Sequence, residues 1–250
     1  MNRFAGAVCA LAFSLALPLH AQELVVSAAA SLTNAFESLG ADFQRSHPGR
    51  KVVFNFTASG SLLAQIRQGA PVDVLACADE ATMDRAAAAK LLADGTRAVF
   101  ARNSLVAVVP ANTAMPAPAS LQALAGPAFR RIATGTPATV PVGRYTLQAI
   151  TQAGLAQAFE PKWIYGESVR QVLNYIARGE VDAGFVYRTD ALLDPAGTRI
   201  AFTVPTATPV SYPIAQTGAS RNPQAAREFI DYVRGPQGQS VLRRFGFTSP

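Results

Sequence analysis

The chain has 250 residues, half of them hydrophobic and only 15% charged, with 18 glycines and 17 prolines. That composition excludes a disordered or collagen-like chain, and the length allows one large domain or two lobes of roughly 100 to 120 residues, each able to bury its own core. The formal net charge of +6 comes from scattered arginines and lysines with no basic run, which excludes a clustered nucleic-acid footprint.

Met1, Asn2 and Arg3 give a short positive start, Phe4 to Pro18 is apolar and uncharged, and the small residue Ala21 precedes Gln22. This is the pattern of a secretory signal peptide over residues 1–21, and it places the mature protein in the periplasm. The apolar run falls short of the about 20 residues of a membrane span, and Cys9 lies too early in it to carry a lipid. Cleavage after Ala21 leaves His47 and Cys77 as the remaining histidine and cysteine. One of each completes neither a disulfide nor a zinc site.

Strands then alternate with helices. Leu24, Val25 and Val26 form a short apolar run, and after Ser31 the residues Leu32, Phe36, Leu39 and Phe43 recur at helical spacing. His47 lies in the helix-stop sequence Arg45-Ser46-His47-Pro48-Gly49, a poor place for the base of a Ser-His-Asp triad. Lys51 to Phe56 alternates as a strand, Ala58 to Ser61 turns, and Leu62, Leu63 and Ile66 begin a helix that stops at Gly69. Val72 to Ala76 and a helix from Asp79 make a third unit. In this unit Cys77 reads as a small buried hydrophobe.

Leu105 to Val109 is a further strand, and the prolines around Met115 mark an exposed connection, after which Ser120 reads as a helix cap. A second α/β set follows: a strand at Ile132, a helix after Pro141 holding Leu147 and Ile150, and a helix after Ser168 with Val169, Val172, Leu173 and Ile176 at i, i+3, i+4 and i+7. Ala183 to Tyr187 is a buried strand. Pro205, Pro209 and Pro213 punctuate a return path to a C-terminal helix that starts at Asn222 and Pro223. Two βα sets predict two lobes, each a mainly parallel sheet flanked by helices, with a cleft between them.

Ser31, Ser59 and Ser168 each fall where a strand or loop gives way to a helix. A serine there is ordinarily an N-cap that stabilises its own helix by about 1 kcal/mol. Several such helix ends in one cleft, outside the carboxyl ends of the strands, make an anion site from free N–H groups and positive dipole ends. The phosphate-loop, dinucleotide and nucleophile-elbow glycine motifs are absent from the chain.

Ala28 to Thr33, Ala58 to Leu62, Gly69 to Asp73, Val140 to Tyr145, Gly166 to Arg170 and Gly184 to Tyr187, with the tail from Gly235 to Phe247, occur in the order of periplasmic molybdate-binding proteins. The resemblance covers nearly the whole mature chain. It implies an α/β, two-lobed type II periplasmic-binding-protein architecture: 22–103 and 212–250 in lobe 1, 104–211 in lobe 2. It also implies a monomeric carrier, not an enzyme, that delivers molybdate or tungstate to an inner-membrane ABC transporter permease. No resident cofactor is expected, no nucleic acid, and molybdenum enters only as the oxyanion without direct protein ligands.

Carried over block by block, the ligand donors are the hydroxyls and amides of Ser31 and Ser59, the amides of Val142 and Val169, and the phenol of Tyr187. Val142 stands where many relatives have alanine, which narrows the pocket wall. Without the resemblance, Tyr187 also reads as a strand-end tyrosine with its ring in the core. Arg144 and Arg170, beside the donors, are either surface charges or supporting partners. Another tetrahedral oxyanion such as sulfate, an exported serine hydrolase, and the sensory lobes of a transcription regulator remain as competing readings.

Overall fold

The structure, a computed structural model, describes residues 22–250; the expected signal peptide, with Cys9 and His20, lies outside the described residues. β1 (Gln22–Ala29) passes through a 3₁₀ turn (Ala30–Leu32) into α1 (Thr33–Ser46) and returns as β2 (Arg50–Thr57). β1 and β2 pair in parallel along their whole length, from Gln22 opposite Arg50 to Ala29 opposite Thr57. On α1, Phe36, Leu39, Gly40 and Phe43 come round to one buried face. The Phe36 ring lies 5.7 Å from Phe100 and 6.1 Å from Phe229, so the helix is anchored by aromatic contacts far apart in sequence.

α2 (Ser59–Arg67), β3 (Val74–Ala76), α3 (Glu80–Ala88) and β4 (Ala98–Asn103) complete the first passage through lobe 1. After Ser104 the chain enters lobe 2 as β5 (Leu105–Pro110), α4 (Leu121–Ala125), β6 (Ile132–Gly135), α5 (Pro141–Gln152) and α6 (Ala156–Phe159). β7 (Trp163–Gly166), α7 (Val169–Ala177), β8 (Ala183–Tyr187), α8 (Arg188–Ala191) and β9 (Thr198–Val204) follow. Residues 205–209 lead back to lobe 1, where β10 (Val210–Gln216), α9 (Pro223–Arg234) and α10 (Pro236–Arg244) finish the fold.

Two five-stranded sheets result, in the orders β2-β1-β3-β10-β4 and β7-β6-β8-β5-β9. In each sheet four of the five strands run the same way, and the one reversed strand makes both sheets mixed, with four parallel and four antiparallel pairings. In each lobe the three strands built by βα units are parallel, and the strand that arrives from the other lobe, β10 or β5, runs against them. The return to lobe 1 is earlier than the expected Tyr212, since β10 begins at Val210. Its prolines hide it in the sequence. Pro213 sits where the β10–β4 register shifts, a bulge at which a missing N–H breaks no ladder bond.

A contiguous core runs through both lobes, and a smaller cluster beneath α2 and α3 gathers Leu62, Leu63, Ile66, Met83 and Ala215 around Cys77. Cys77 is fully buried there, as a small hydrophobe, and burial pushes its thiol well above the ordinary value. Among the described residues no helix is long and apolar enough to cross a membrane.

Candidate functional site

The parallel strands of the two lobes present their carboxyl ends to each other, and the helices that follow them start in the gap. The cleft is closed. Gly60 N–H donates to the Thr139 carbonyl at 2.9 Å, Arg170 Nη1 to Asn34 Oδ1 at 2.9 Å, and the Tyr187 hydroxyl to the Ala78 carbonyl at 3.4 Å, each bond joining one lobe to the other.

All five expected donors lie along this seam. Ser31 is in the middle of the 3₁₀ turn after β1, Ser59 is the first residue of α2, Val142 the second of α5, Val169 the first of α7, and Tyr187 ends β8. First-turn N–H groups have no intrahelical acceptor and carry the positive end of the helix dipole. Pro141 at the first position of α5 fixes the entry of Val142 without wasting a donor. Gly143 allows α5 to touch the end of β6, since a β-carbon there would run into the Gly135 carbonyl. The Val142 side chain is fully buried with its Cγ1 directed at Gly135, so its extra bulk packs on β6.

Ser168 caps α7 as a serine in that place ordinarily does, its Oγ accepting from Gln171 N–H at 3.2 Å. Ser31 and Ser59 do not cap: the residues before their helices are Ala29 and Ala58, and neither turn has a side-chain cap. Both hydroxyls are buried and committed elsewhere. Ser59 Oγ accepts the Ala78 N–H at 3.0 Å, and Ser31 Oγ meets the Tyr212 hydroxyl at 3.0 Å. The Ala78 peptide is thus held from both sides, its N–H by Ser59 and its carbonyl by Tyr187.

The Tyr187 ring is in the core, and its hydroxyl reaches the seam. Its ring lies 5.8 Å from that of Tyr212 and 6.4 Å from that of Tyr145. Burial pushes the Tyr187 and Tyr212 phenols well above their ordinary value and Tyr145 up to about 12. All three therefore stay protonated, and Tyr187 keeps the proton it donates.

The nearby cations are already paired. Arg144 lies 2.6 Å from Asp79, the residue that caps α3, and also donates to Thr82 Oγ1 at 2.8 Å and the Pro137 carbonyl at 3.0 Å. Arg170 contacts the buried Asp190 at 2.7 Å, a close charge contact in which neither Asp190 oxygen has an aligned hydrogen bond among the described residues. Both arginines are cross-cleft partners, not surface charges. A cavity of about 320 Å³ beside Arg144 is lined by Asp79, Tyr145, Gln148 and Ser211 among others, and by none of the five donors. Sequence reasoning missed Tyr212 and Asn103, which support Ser31 from behind.

His47 closes the far end of α1 and stacks on Phe43 at 4.1 Å between ring centroids. Fourteen residues of helix, about 20 Å at 1.5 Å per residue, separate it from Ser31, and β2 separates it from Ser59. Neither serine has this imidazole as a base. Among the described residues there is no group of three or more His, Cys, Asp and Glu side chains able to hold a metal ion. What the seam offers is neutral hydroxyls and first-turn N–H groups contributed by both lobes.

The sequence model of a family described as bacterial extracellular solute-binding protein matches residues 24–248. The molybdate-binding protein of Escherichia coli is 35% identical over 99% of this chain and 97% of its own length. That of Mycobacterium tuberculosis is 35% identical over 92% of this chain and 86% of its own. Among solved structures, the periplasmic molybdate-binding protein of Azotobacter vinelandii superposes with a TM-score of 0.79 at 27% identity, covering 91% of this chain and 99% of the other. The sulfate-binding protein SubI of Mycobacterium tuberculosis superposes with a TM-score of 0.77 at 18% identity, a likeness of fold alone.

Proposed function

This chain belongs to the bacterial extracellular solute-binding protein family, and from that premise we propose that it captures molybdate outside the cytoplasm and delivers it to an ABC transporter in the inner membrane. The protein is exported by its signal peptide, works in the periplasm as a monomer, and takes tungstate as well as molybdate. The observation that carries this reading is the cleft seam itself: hydroxyls and first-turn N–H groups from both lobes, with each adjacent arginine neutralised by a carboxylate of the protein.

Such a site suits a tetrahedral dianion. Ser31 and Ser59 supply hydroxyls, Tyr187 a third when its proton turns from the Ala78 carbonyl to the anion, and the amides of Ser31, Ser59, Val142 and Val169 complete the shell. Each helix end contributes a partial positive charge of about half a unit, already oriented before the ligand arrives. No side-chain cation is buried against the anion, so no desolvation of a second charge offsets the attraction. Lobe 1 brings the two serines and lobe 2 the other three residues, so binding and closure are one event.

Calorimetric titration of the mature protein with molybdate, tungstate, sulfate and phosphate tests the proposal. Molybdate at 100 times its dissociation constant should stabilise the fold by about 2.7 kcal/mol. Sulfate carries the same charge but is smaller, so donors fixed for the larger anion cannot all reach it. Equal thermal shifts from equal concentrations of sulfate and molybdate would overturn the assignment.

A further inference from the structure

The Ser31 and Tyr212 hydroxyls lie 3.0 Å apart, and taken alone either can be the donor. The direction is decided one residue further back. The Ser104 backbone N–H, which only donates, lies 2.9 Å from Asn103 Oδ1 and so identifies the amide oxygen. The amide nitrogen is then the atom 2.8 Å from Thr189 Oγ1 and 3.2 Å from the Tyr212 hydroxyl. An amide nitrogen also only donates. The phenol oxygen therefore accepts from Asn103, and Ser31 Oγ is its other hydrogen-bond partner among the described residues, so the buried phenol places its proton on Ser31 Oγ and the serine proton is left for the cleft.

Tyr212 is fully buried and, as noted above, stays protonated, so ordinary pH does not interrupt the chain of bonds. Ser59 reaches the same state by a shorter route, because the Ala78 N–H donates directly to its Oγ. Two serines on different turns are thus loaded from behind by donors.

We infer that Asn103 and Tyr212 are positioning residues that lock the Ser31 hydroxyl as a donor toward the cleft, and that this polarity selects a fully deprotonated oxyanion over one carrying an O–H. The inference rests on the oxyanion reading above. An O–H on the ligand would meet donors only, leaving it unpaired, which is where a polar site discriminates most strongly. Asn103 is also the last residue before the crossing into lobe 2 and bonds Thr189 there, so the relay is anchored at the hinge.

The test is the ratio of the dissociation constants for hydrogen phosphate and molybdate at about pH 8, where both are dianions. A change of charge or a loosened fold weakens both and leaves the ratio in place. Tyr212→Phe keeps the ring and removes the relay; it should lower the preference for molybdate by about 3- to 10-fold. Asn103→Asp replaces the donor by an acceptor, so the phenol donates to the carboxylate, the serine proton turns back to the phenol, and Ser31 shows the cleft a lone pair. Its preference should fall below that of Tyr212→Phe, because hydrogen phosphate then gains an acceptor. A ratio within about twofold of wild type in Tyr212→Phe, folded by circular dichroism, overturns the relay whether or not Asn103→Asp folds. A wild-type protein without preference for molybdate overturns the oxyanion reading instead, and that is known before a variant is made.

Discussion

Gly60 joins the two lobes backbone to backbone through its hydrogen bond to Thr139, and Gly60→Ala is a test of closure. A β-carbon on Gly60 would lie 2.6 Å from the Thr139 carbonyl oxygen and 2.7 Å from Thr139 Cα, both atoms of the opposite lobe. Carbon atoms pack at about 3.5 to 4 Å, so the lobes must stay apart by about 1 Å. That separation removes the Gly60–Thr139 hydrogen bond, about 1 kcal/mol, and draws Val142, on the same segment as Thr139, away from the anion. A hydrogen bond to a charged ligand is worth about 1.5 to 3 kcal/mol. Together these predict a loss of about 2.5 to 4 kcal/mol, or roughly 60- to 700-fold in molybdate affinity. Neither lobe is itself strained, and alanine in α2 adds about 0.5 to 1 kcal/mol to the helix. Titration calorimetry with molybdate and thermal melting without it separate the two effects. Affinity within about threefold of wild type would refute the closure geometry, and so would a clear fall in the ligand-free melting temperature.

Ser31→Ala and Ser59→Ala should each weaken molybdate by roughly 10- to 150-fold, whereas Ser120→Ala, which removes the cap that accepts from Ala123 N–H, should lower the melting temperature and leave binding alone; equal losses in all three would show the site to be misplaced. Arg144→Gln and Arg170→Gln, made singly, should change affinity by less than about tenfold because each cation is held by a carboxylate, and a hundredfold loss in a folded variant would mean that a cation carries the anion's charge. Asp190 is raised from 3.8 to about 6 by burial, against the lowering effect of Arg170. The native state therefore holds this proton more tightly than the unfolded chain, so stability from this group is present below about pH 4 and is lost as pH rises to about 6. Melting Asp190→Asn beside wild type across that range should show the variant gaining on wild type as pH rises, and a constant difference would contradict the shift.

The parts of the fold visible in the sequence were those with a helical period or an uninterrupted apolar run. Val169, Val172, Leu173 and Ile176 do line the buried face of α7, and Phe229 and Val233 that of α9. β10 is not visible in the sequence: Pro209, just before it, and Pro213, inside it, read as breaks in a connection, while the strand is buried throughout, in the interior of the lobe 1 sheet. With it went Tyr212, since a tyrosine in a supposed loop gives no sign of standing behind Ser31. The serines were found at their turns, but their partners were not, because a cap is a contact within three residues and Ser31 pairs with Tyr212 across 181 positions. Arg144 and Arg170 likewise stood open because their carboxylates, Asp79 and Asp190, are brought to them only by the closing of one lobe on the other and by the turn after β8.

The chain passes between the lobes twice, through Ser104 and through residues 205–209, by strands of adjacent sequence on each side. Two covalent tethers permit the lobes to swing but hinder their sliding or twisting, so under the proposed function an anion held by Ser31 and Ser59 would meet the second half of its coordination shell as a reactant tethered nearby, not as one diffusing freely. Its effective concentration is then on the order of millimolar or higher. Either half-site alone needs only weak affinity for the pair to retain a scarce ion, and a single swing of the lobes suffices to release it.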